Sequence, residues 1–308
     1  MRLSRRQFLV GAAAAAAWGC RTTSTAVVSP SLVWGRPGMQ NGAFRRPRGI
    51  GVKEREVFVI DRTGRIQVFT EDGAFLRSWS TPASDNGTPT SISFDRSGNV
   101  LVPDTHYSHI LEYSPQGEML RHWGAYGTGP EQFIYPTSIV QVPDGTYYIS
   151  EYGLEAERVH VFDTERRFAR QWGEQGAGPG HFSRAMAIDF RDDKVYVADT
   201  GNHRIQYFDL QGEFRGIIGG AGTDPGRLSY PYDMCVGPQG YVFACEYGNN
   251  RVSIFAADGT IVACFGRAGR KPGEFGGPRG IAVSDRGSVF VADTENDRVQ
   301  RFELERLT

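Results

Sequence analysis

The sequence predicts an all-β fold, a six-bladed β-propeller, and three observations support that prediction. A short phrase returns at intervals of 42 to 48 residues: a proline that opens a strand, then an acidic residue, an arginine and a glycine-rich loop. Within each copy, runs of β-branched and aromatic residues are separated by turn residues, and no run has the length of a helix. The 308 residues include 39 glycines and 40% hydrophobic residues, enough for a large sheet core with many tight turns. Six repeats of about four short strands each are typical of propeller blades.

The six copies can be aligned on the residue that opens each one, and arginine replaces proline in the fourth. The copies start at Pro47, Pro89, Pro136, Arg184, Pro231 and Pro278. Chain length alone would favour two domains. Because one repeat series runs through the chain, we predict a single propeller domain over residues 32–308.

The last copy lacks the outer strand and loop that end the others, since it stops at "RFELERLT". A segment of the missing type, "LVWGRPGMQNGAF", lies at the other end of the chain, from Leu32 to Phe44. We therefore predict that this N-terminal strand completes the last blade and closes the ring. Closure removes an edge strand that could otherwise pair with other chains.

Three phrases resemble the NHL repeat family: "DTGNHRIQYFD" from Asp199, "EYGNNRVSIFAADG" from Glu246 and "DTENDRVQRF" from Asp293. The resemblance covers roughly residues 32 to 304. It implies a six-bladed propeller whose ligands bind at the mouth of the central channel. One class of such propellers, the peptidyl-hydroxyglycine amidating lyases, uses a zinc ion held by histidines near that channel.

The first 31 residues are interpreted as an export signal and a tether. "SRRQFL", with Arg5 and Arg6, matches the twin-arginine export motif, and the alanine-rich stretch that follows is too short to span a bilayer. "AWGC" resembles a lipoprotein box that ends at Cys20. We predict a signal peptide over residues 1–20, a tether over residues 21–31 and lipid on Cys20; simple cleavage among the alanines is the alternative. Either outcome places the protein in the periplasm or cell envelope, in contact with a membrane only through a lipid anchor.

The remaining cysteines and the charge exclude several other classes. Three cysteines remain after Cys20, and an odd number argues against a disulfide framework. Cys235 and Cys245 align with alanines of the next copy and are expected to be small buried residues, whereas Cys264 is placed on an outer strand. A net charge of −1 gives no basic surplus for nucleic acid, and we expect a monomer.

One acidic residue follows the second strand of every copy. The six are Asp61, Asp104, Glu151, Asp199, Glu246 and Asp293. Five copies add an arginine a few residues later: Arg65, Arg158, Arg204, Arg251 and Arg298. We interpret the ring as structural ion pairs within a blade or between neighbours; a metal bound by several of the carboxylates is the alternative.

The second copy departs from this pattern, since "DTHYSHI" places His109 where the others have arginine. Asp104, His106 and His109 are residue types that bind zinc or a similar metal, so they are the candidate metal ligands. The alternative is a hydrogen bond from histidine to Asp104 in place of the ion pair. No resident cofactor is predicted otherwise, and Zn²⁺ and Ca²⁺ are the two metals considered.

The channel mouth should be lined by the residues that follow each opening proline. Among these, Arg48 and Arg279 fall in the first and last copies, which are neighbours in a closed ring, and Tyr232 and Asp233 fall in the fifth. Tyr152 and Tyr247, directly after the acidic position, are further candidates. With the upstream Arg45 and Arg46, the arginines would form a basic patch for a carboxylate or another anion. Alternatively the arginines pair with the acidic ring and the tyrosines pack against loops.

We therefore predict an exported binding module for a protein, peptide or small anionic ligand. The competing hypothesis is an exported metal-dependent lyase or hydrolase that resembles the amidating lyases and acts at the channel mouth, and a third is a structural partner in an envelope complex. Catalytic residues cannot be named. No histidine lies at the mouth positions, and His122, His160, His181 and His203 are placed in outer strands or loops.

Overall fold

A computed structural model describes residues 28–153, 156–303 and 305. The predictions for Arg5, Arg6 and Cys20, and for most of the tether, fall outside these residues. Six four-stranded antiparallel sheets form the fold, in the order that the repeats predict. The prediction of an all-β six-bladed propeller is confirmed.

Each blade runs from an inner strand at the channel to an outer strand. The strands are, in blade 1, Pro47–Lys53, Glu56–Asp61, Arg65–Thr70 and Phe75–Ser80; in blade 2, Ser93–Phe94, Val100–Asp104, His109–Tyr113 and Met119–Trp123; in blade 3, Tyr135–Gln141, Tyr147–Tyr152, Arg158–Phe162 and Phe168–Trp172; in blade 4, Ala185–Arg191, Lys194–Asp199, Arg204–Asp209 and Phe214–Gly219; in blade 5, Pro231–Val236, Val242–Glu246, Arg251–Phe255 and Ile261–Phe265; and in blade 6, Gly280–Val283, Ser288–Asp293, Arg298–Glu303 and Leu32–Trp34.

Short elements connect these strands. Two-residue parallel strands pair in the loops between blades, Ala125–Tyr126 with Gln132–Phe133 and Glu174–Gln175 with His181–Phe182. Single bridges occupy the equivalent place in three other loops. One-turn 3₁₀ helices follow the second strand in three blades: Thr105–Tyr107, Thr200–Asn202 and Thr294–Asn296.

The hydrophobic core lies between neighbouring blades. Phe58 and Ile60 of blade 1, for example, pack in one cluster with Val102 and Tyr113 of blade 2. Because strand residues alternate between faces, both faces of a central strand meet a neighbouring blade, and the second and third strands are almost wholly buried. The blades therefore stabilise one another through contacts that a single blade could not make.

The N-terminal strand closes the ring as predicted. Leu32–Trp34 pairs antiparallel with the third strand of blade 6, with Trp34 opposite Val299. The Trp34 ring packs against Phe69 and Phe290, at centroid distances of 6.0 and 6.1 Å. The first and last segments of the propeller are thus held in one sheet.

Two details concern residues that the sequence singled out. His160 was placed in an outer strand or loop; that is wrong, because it lies in the third strand of blade 3 with no exposed surface. Cys245 is buried and Cys235 is half-buried; both are free thiols, and burial raises their pKa values. Cys264 is buried on the outer strand of blade 5. Across the described residues, no helix has the length and apolar character needed to cross a bilayer.

Candidate functional site

The acidic ring is built into the blades. In blade 4, Asp199 Oδ1 accepts a hydrogen bond from the backbone N–H of Ser183 at 2.8 Å. Its Oδ2 accepts hydrogen bonds from Arg204 Nε at 2.7 Å and Gln206 Nε2 at 3.0 Å. The acid therefore ties the loop before the inner strand to the third strand of the same blade.

Five blades contain the same ion pair, in each case within one blade. The pairs are Asp61 with Arg65, Glu151 with Arg158, Asp199 with Arg204, Glu246 with Arg251 and Asp293 with Arg298. Each arginine also donates to carbonyl oxygens of the preceding interblade loop, as Arg204 does to Gly178 O at 2.7 Å. The five arginines therefore support the interblade loops, and the five carboxylates they pair with are turned away from solvent.

Blade 2 lacks this arrangement. The histidine in the arginine position, His109, has its Nε2 3.6 Å from Asp104 Oδ2, and burial lowers the pKa of His109. Asp104 Oδ1 is buried and has no hydrogen-bond partner among the described residues. Leu111 occupies the position at which blade 4 has Gln206, and the loop before the blade is shorter. Burial raises the pKa of Asp104 to about 7.

The structure does not gather Asp104, His106 and His109 into one cluster. His106 stacks on Tyr135 at a centroid distance of 5.7 Å and borders the channel mouth, whereas His109 stacks on His122 at 5.4 Å. Among the described residues, no three His, Cys, Asp or Glu side chains are placed to hold a metal ion. The one-turn helix explains the separation, because it turns His106 toward the mouth and His109 back toward the sheet.

We expect Asp104 to make stability pH-dependent. Its pKa is about 7 in the folded chain, above the ordinary value of 3.8 that applies in the unfolded chain. Between these two values the folded state keeps a proton that the unfolded chain releases. The free energy of unfolding should therefore fall as pH rises from about 4 to about 7, with a slope of up to about 1.4 kcal/mol per pH unit from this group. The Asp104→Asn variant should lose that component in urea unfolding followed over this range.

Asp285→Asn is the matched control, because Asp285 is exposed. It should leave the slope of the wild-type curve unchanged. An Asp104→Asn variant with the full wild-type slope would show that Asp104 is ionised in the folded chain across this range.

The inner strands begin at the channel mouth, and four predicted residues line one small pocket there. Arg48, Tyr232, Asp233 and Arg279 border this space together with Thr90, Ser91 and Met186. Its volume is about 10 Å³, room for about one water molecule. The mouth is therefore a shallow funnel over a narrow constriction.

Arginines and tyrosines stack around the mouth. The Arg279 guanidinium lies over the rings of both Tyr232 and Tyr247, 4.6 and 4.7 Å from their centroids. Arg184 lies over Tyr152 at 5.2 Å, and its Nη2 is 3.3 Å from the Tyr232 hydroxyl. The structure thus brings Tyr152, Tyr232, Tyr247 and Arg279 to one face, where stacking holds the arginines in place.

Arg184 was missed as a mouth residue because sequence reasoning treated it as a replaced proline. Tyr135 was missed as well; it stacks on Tyr152 at 5.4 Å and on His106. Arg62, which borders an opening beside Arg48, was also missed. Its position in the sequence could have indicated it, because Arg62 directly follows the acid of its copy, as Tyr152 and Tyr247 do in theirs.

Positive charge at the mouth is not balanced by ion pairs. No described carboxylate lies within ion-pair distance of Arg48 or Arg279, and the buried Nε atom of each has no hydrogen-bond partner. Burial and the nearby charges of Arg279, Arg62 and Arg46 lower the pKa of Arg48. The alternative in which Arg48 and Arg279 pair with the acidic ring is not what the structure shows.

Below the constriction the channel widens to a cavity of about 420 Å³. Asp233 and Asp189 line it. Each accepts a backbone N–H from the next blade, Asp233 from Ile281 at 2.8 Å and Asp189 from Val236 at 2.7 Å. Burial raises their pKa values to about 7 and about 6. Asp189, which sequence reasoning missed, occupies the strand position held by Val140 in blade 3 and by Cys235 in blade 5.

With this geometry established, comparison with known families gives two matches. Residues 275–302, in the last copy and the loop before it, match the NHL repeat, and residues 138–219 match a domain described as a 6-bladed beta-propeller. Both matches agree with the observed sheets.

Similar curated proteins cover part of the chain. Human NHL repeat-containing protein 3 is 31% identical over 185 residues, which span 55% of this chain and 52% of that protein. Rat peptidylglycine alpha-amidating monooxygenase is 26% identical over 188 residues, 57% of this chain and 18% of the relative. The chain therefore spans about half the length of the first relative and less than a fifth of the second.

Among solved structures, a Streptogramin B lyase superposes with a TM-score of 0.61 and 14% identity, covering 88% of this chain and 96% of that one. Identity this low supports the shared propeller fold alone. The residues at the channel mouth therefore carry the functional information.

Proposed function

We propose that this propeller is a binding module that holds an anionic group, such as a carboxylate, at the channel mouth. The observation that carries the proposal is the convergence of Arg48 and Arg279 on one pocket without a carboxylate partner. Arginine presents several N–H donors in a planar fork that matches a carboxylate. A bound anion would supply the countercharge that neither guanidinium group has among the described residues.

The size of the pocket limits what enters it. About 10 Å³ has room for one oxygen of an anionic group, so the rest of the ligand lies above the constriction. There Tyr152, Tyr232 and Tyr247 offer aromatic surface. These features support a ligand with a carboxylate at one end and an apolar or peptide body.

We expect binding of a free carboxylate to depend on both arginines. The probe is an N-acetylated dipeptide with a C-terminal carboxylate, compared by calorimetry with the same dipeptide as its amide. The wild type should prefer the carboxylate, and Arg48→Gln or Arg279→Gln should weaken its binding by about tenfold or more, since charge-assisted hydrogen bonds are the strong ones. Neither substitution should alter binding of the amide.

Arg286→Gln is the matched control. Arg286 borders the opposite end of the channel and is exposed. Its replacement removes the same charge from the chain without touching the mouth. Equal affinity of the wild type for carboxylate and amide, or an equal loss of affinity in the control, would rule the proposal out.

A lyase or hydrolase is the second candidate, supported by the similarity to amidating monooxygenases and by Asp233. A carboxyl group with a pKa of about 7, in the same pocket as Arg48 and Tyr232, is suited to general acid–base chemistry near neutral pH. Turnover of a peptidyl-hydroxyglycine, assayed with added Zn²⁺ or Ca²⁺ and lost in Asp233→Asn, would establish this function. Absence of turnover with all metal additions would leave the binding role.

Export by the twin-arginine route, lipid on Cys20, a periplasmic or envelope location and a monomeric state also remain our proposals. They are supported by "SRRQFL" and "AWGC". Mass spectrometry of the mature protein and of a Cys20→Ser variant tests the lipid. The mature wild type should carry the added mass of acyl chains at Cys20 and the variant should not; a wild type without that added mass would contradict the proposal.

A further inference from the structure

Two more openings continue from the mouth across blade 1. The first is bordered by Arg48, Arg62 and His106, together with the loop of residues 84–88. The second is a groove of about 880 Å³ bordered by Arg45, Arg46 and Arg62, with Pro37, Gly38, Met39, Phe44, Thr63 and Asp297. Arg48 is shared by the mouth and the first opening, and Arg62 by the two openings. The three spaces are therefore neighbours with an arginine at each boundary, and we call this row from the channel to the edge of blade 1 the path.

Positive charge also predominates along this path. The side chains of Arg45 and Arg62 make no hydrogen bond or ion pair with any described residue. Arg46 is 3.9 Å from Glu295, and both side chains are about half exposed, so this pair is weak. Three acidic side chains border the path: Asp233 at the mouth, Asp85 at the first opening and Asp297 at the groove. Burial raises the pKa of Asp233 to about 7, and Asp297 Oδ1 already accepts the backbone N–H of Arg46 at 2.6 Å.

The groove also presents apolar surface. Met39 is 55% exposed, an uncommon state for a large apolar side chain in this chain, and Pro37 is exposed beside it. A compact anion such as phosphate would fill the mouth alone and would leave this surface and its arginines unused. An extended ligand with a second negative charge uses the whole path.

We propose that the path from the mouth to the groove is a second anion subsite, and that the ligand is an acidic peptide. Its terminal carboxylate lies between Arg48 and Arg279, and an acidic side chain nearer its N-terminus lies against Arg45 and Arg62. This inference rests on the proposed function, because it takes the carboxylate position at the mouth as the first anchor.

The experiment uses acetylated tetrapeptides with glutamate or glutamine at the first position, each as the free C-terminal carboxylate and as the amide. Binding is measured to the wild type, to the Arg45→Gln/Arg62→Gln double variant and to Arg286→Gln. Both groove arginines are exposed, so the double variant should fold normally. Arg46 is left in place, since its backbone has a φ of 53° and substitution there would confuse strain with charge.

With the wild type and Arg286→Gln, replacing glutamate by glutamine should weaken binding of the free-carboxylate peptide by about two- to fivefold, as expected for exposed charges. The double variant should bind both peptides equally yet still prefer carboxylate over amide. A wild type indifferent to glutamate, or a double variant with the full glutamate preference, would overturn the groove subsite alone. If the wild type binds the carboxylate and amide peptides equally, or binds no peptide, the proposed function itself would be overturned.

Discussion

Replacing Arg251 with alanine is expected to lower the free energy of unfolding by about 3–5 kcal/mol, the cost of breaking a buried ion pair from one side. Glu246 has no exposed surface and the Arg251 side chain is 3% exposed. Arg251 Nε donates to Glu246 Oε1 at 2.7 Å. Its other nitrogens donate to the carbonyl oxygens of Thr223, Asp224 and Arg227. The variant would leave a buried carboxylate and three loop carbonyls without their cation.

Urea unfolding at neutral pH measures this loss, and Arg215→Ala is the control. Arg215 pairs with Asp209 on the surface, its side chain is 55% exposed, and its removal should cost a small fraction of the Arg251 effect. Adding Glu246→Gln to Arg251→Ala should restore part of the stability, because the buried charge is then removed as well. Equal effects of Arg251→Ala and Arg215→Ala would mean that the acidic ring does not hold the blades.

The part of the fold that repeats was predictable from the sequence. Each copy spaces its strands and turns alike, so aligning the copies gave the number of blades and the position of each acid and arginine. The closing strand could be inferred because the last copy lacks an outer strand, and a segment of that type, Leu32–Trp34, lies at the other end of the propeller. Repetition supplied these predictions, since each feature could be read several times.

The mouth was harder to predict because it differs from blade to blade. Arg48 and Arg279 were found by their position after proline, but the stacking of Arg184 on Tyr152 depends on how two loops from different blades meet. The absence of carboxylate partners at Arg48 likewise appears only once the acids are seen to pair within their own blades. In blade 2 the residue types are ones that can bind a metal, whereas the local helix turns His106 and His109 apart.

A chain that begins at residue 37, and so lacks the closing strand, is expected to lose its cooperative unfolding transition. Without Leu32–Trp34, the third strand of blade 6 becomes an unpaired edge that can recruit other chains. The loss of Trp34 also uncovers Phe69 and Phe290. Removal of a fully buried aromatic side chain costs about 3–5 kcal/mol, so the loss of the half-buried Trp34 alone costs up to that amount, a large part of the stability of an ordinary domain. Thermal unfolding and size-exclusion chromatography should show aggregation or a broad, low-temperature transition.

The matched control begins at residue 28 and keeps the strand, so it should unfold as the full chain does. A synthetic peptide of residues 28–36 added to the shortened chain should restore the transition, because the peptide supplies the missing strand and Trp34. The same peptide with Trp34→Ala should restore it less well. A shortened chain with the midpoint of the control would show that the six sheets are held by contacts between blades without closure. Rescue by the peptide would show that pairing of the two ends of the propeller is what holds the ring.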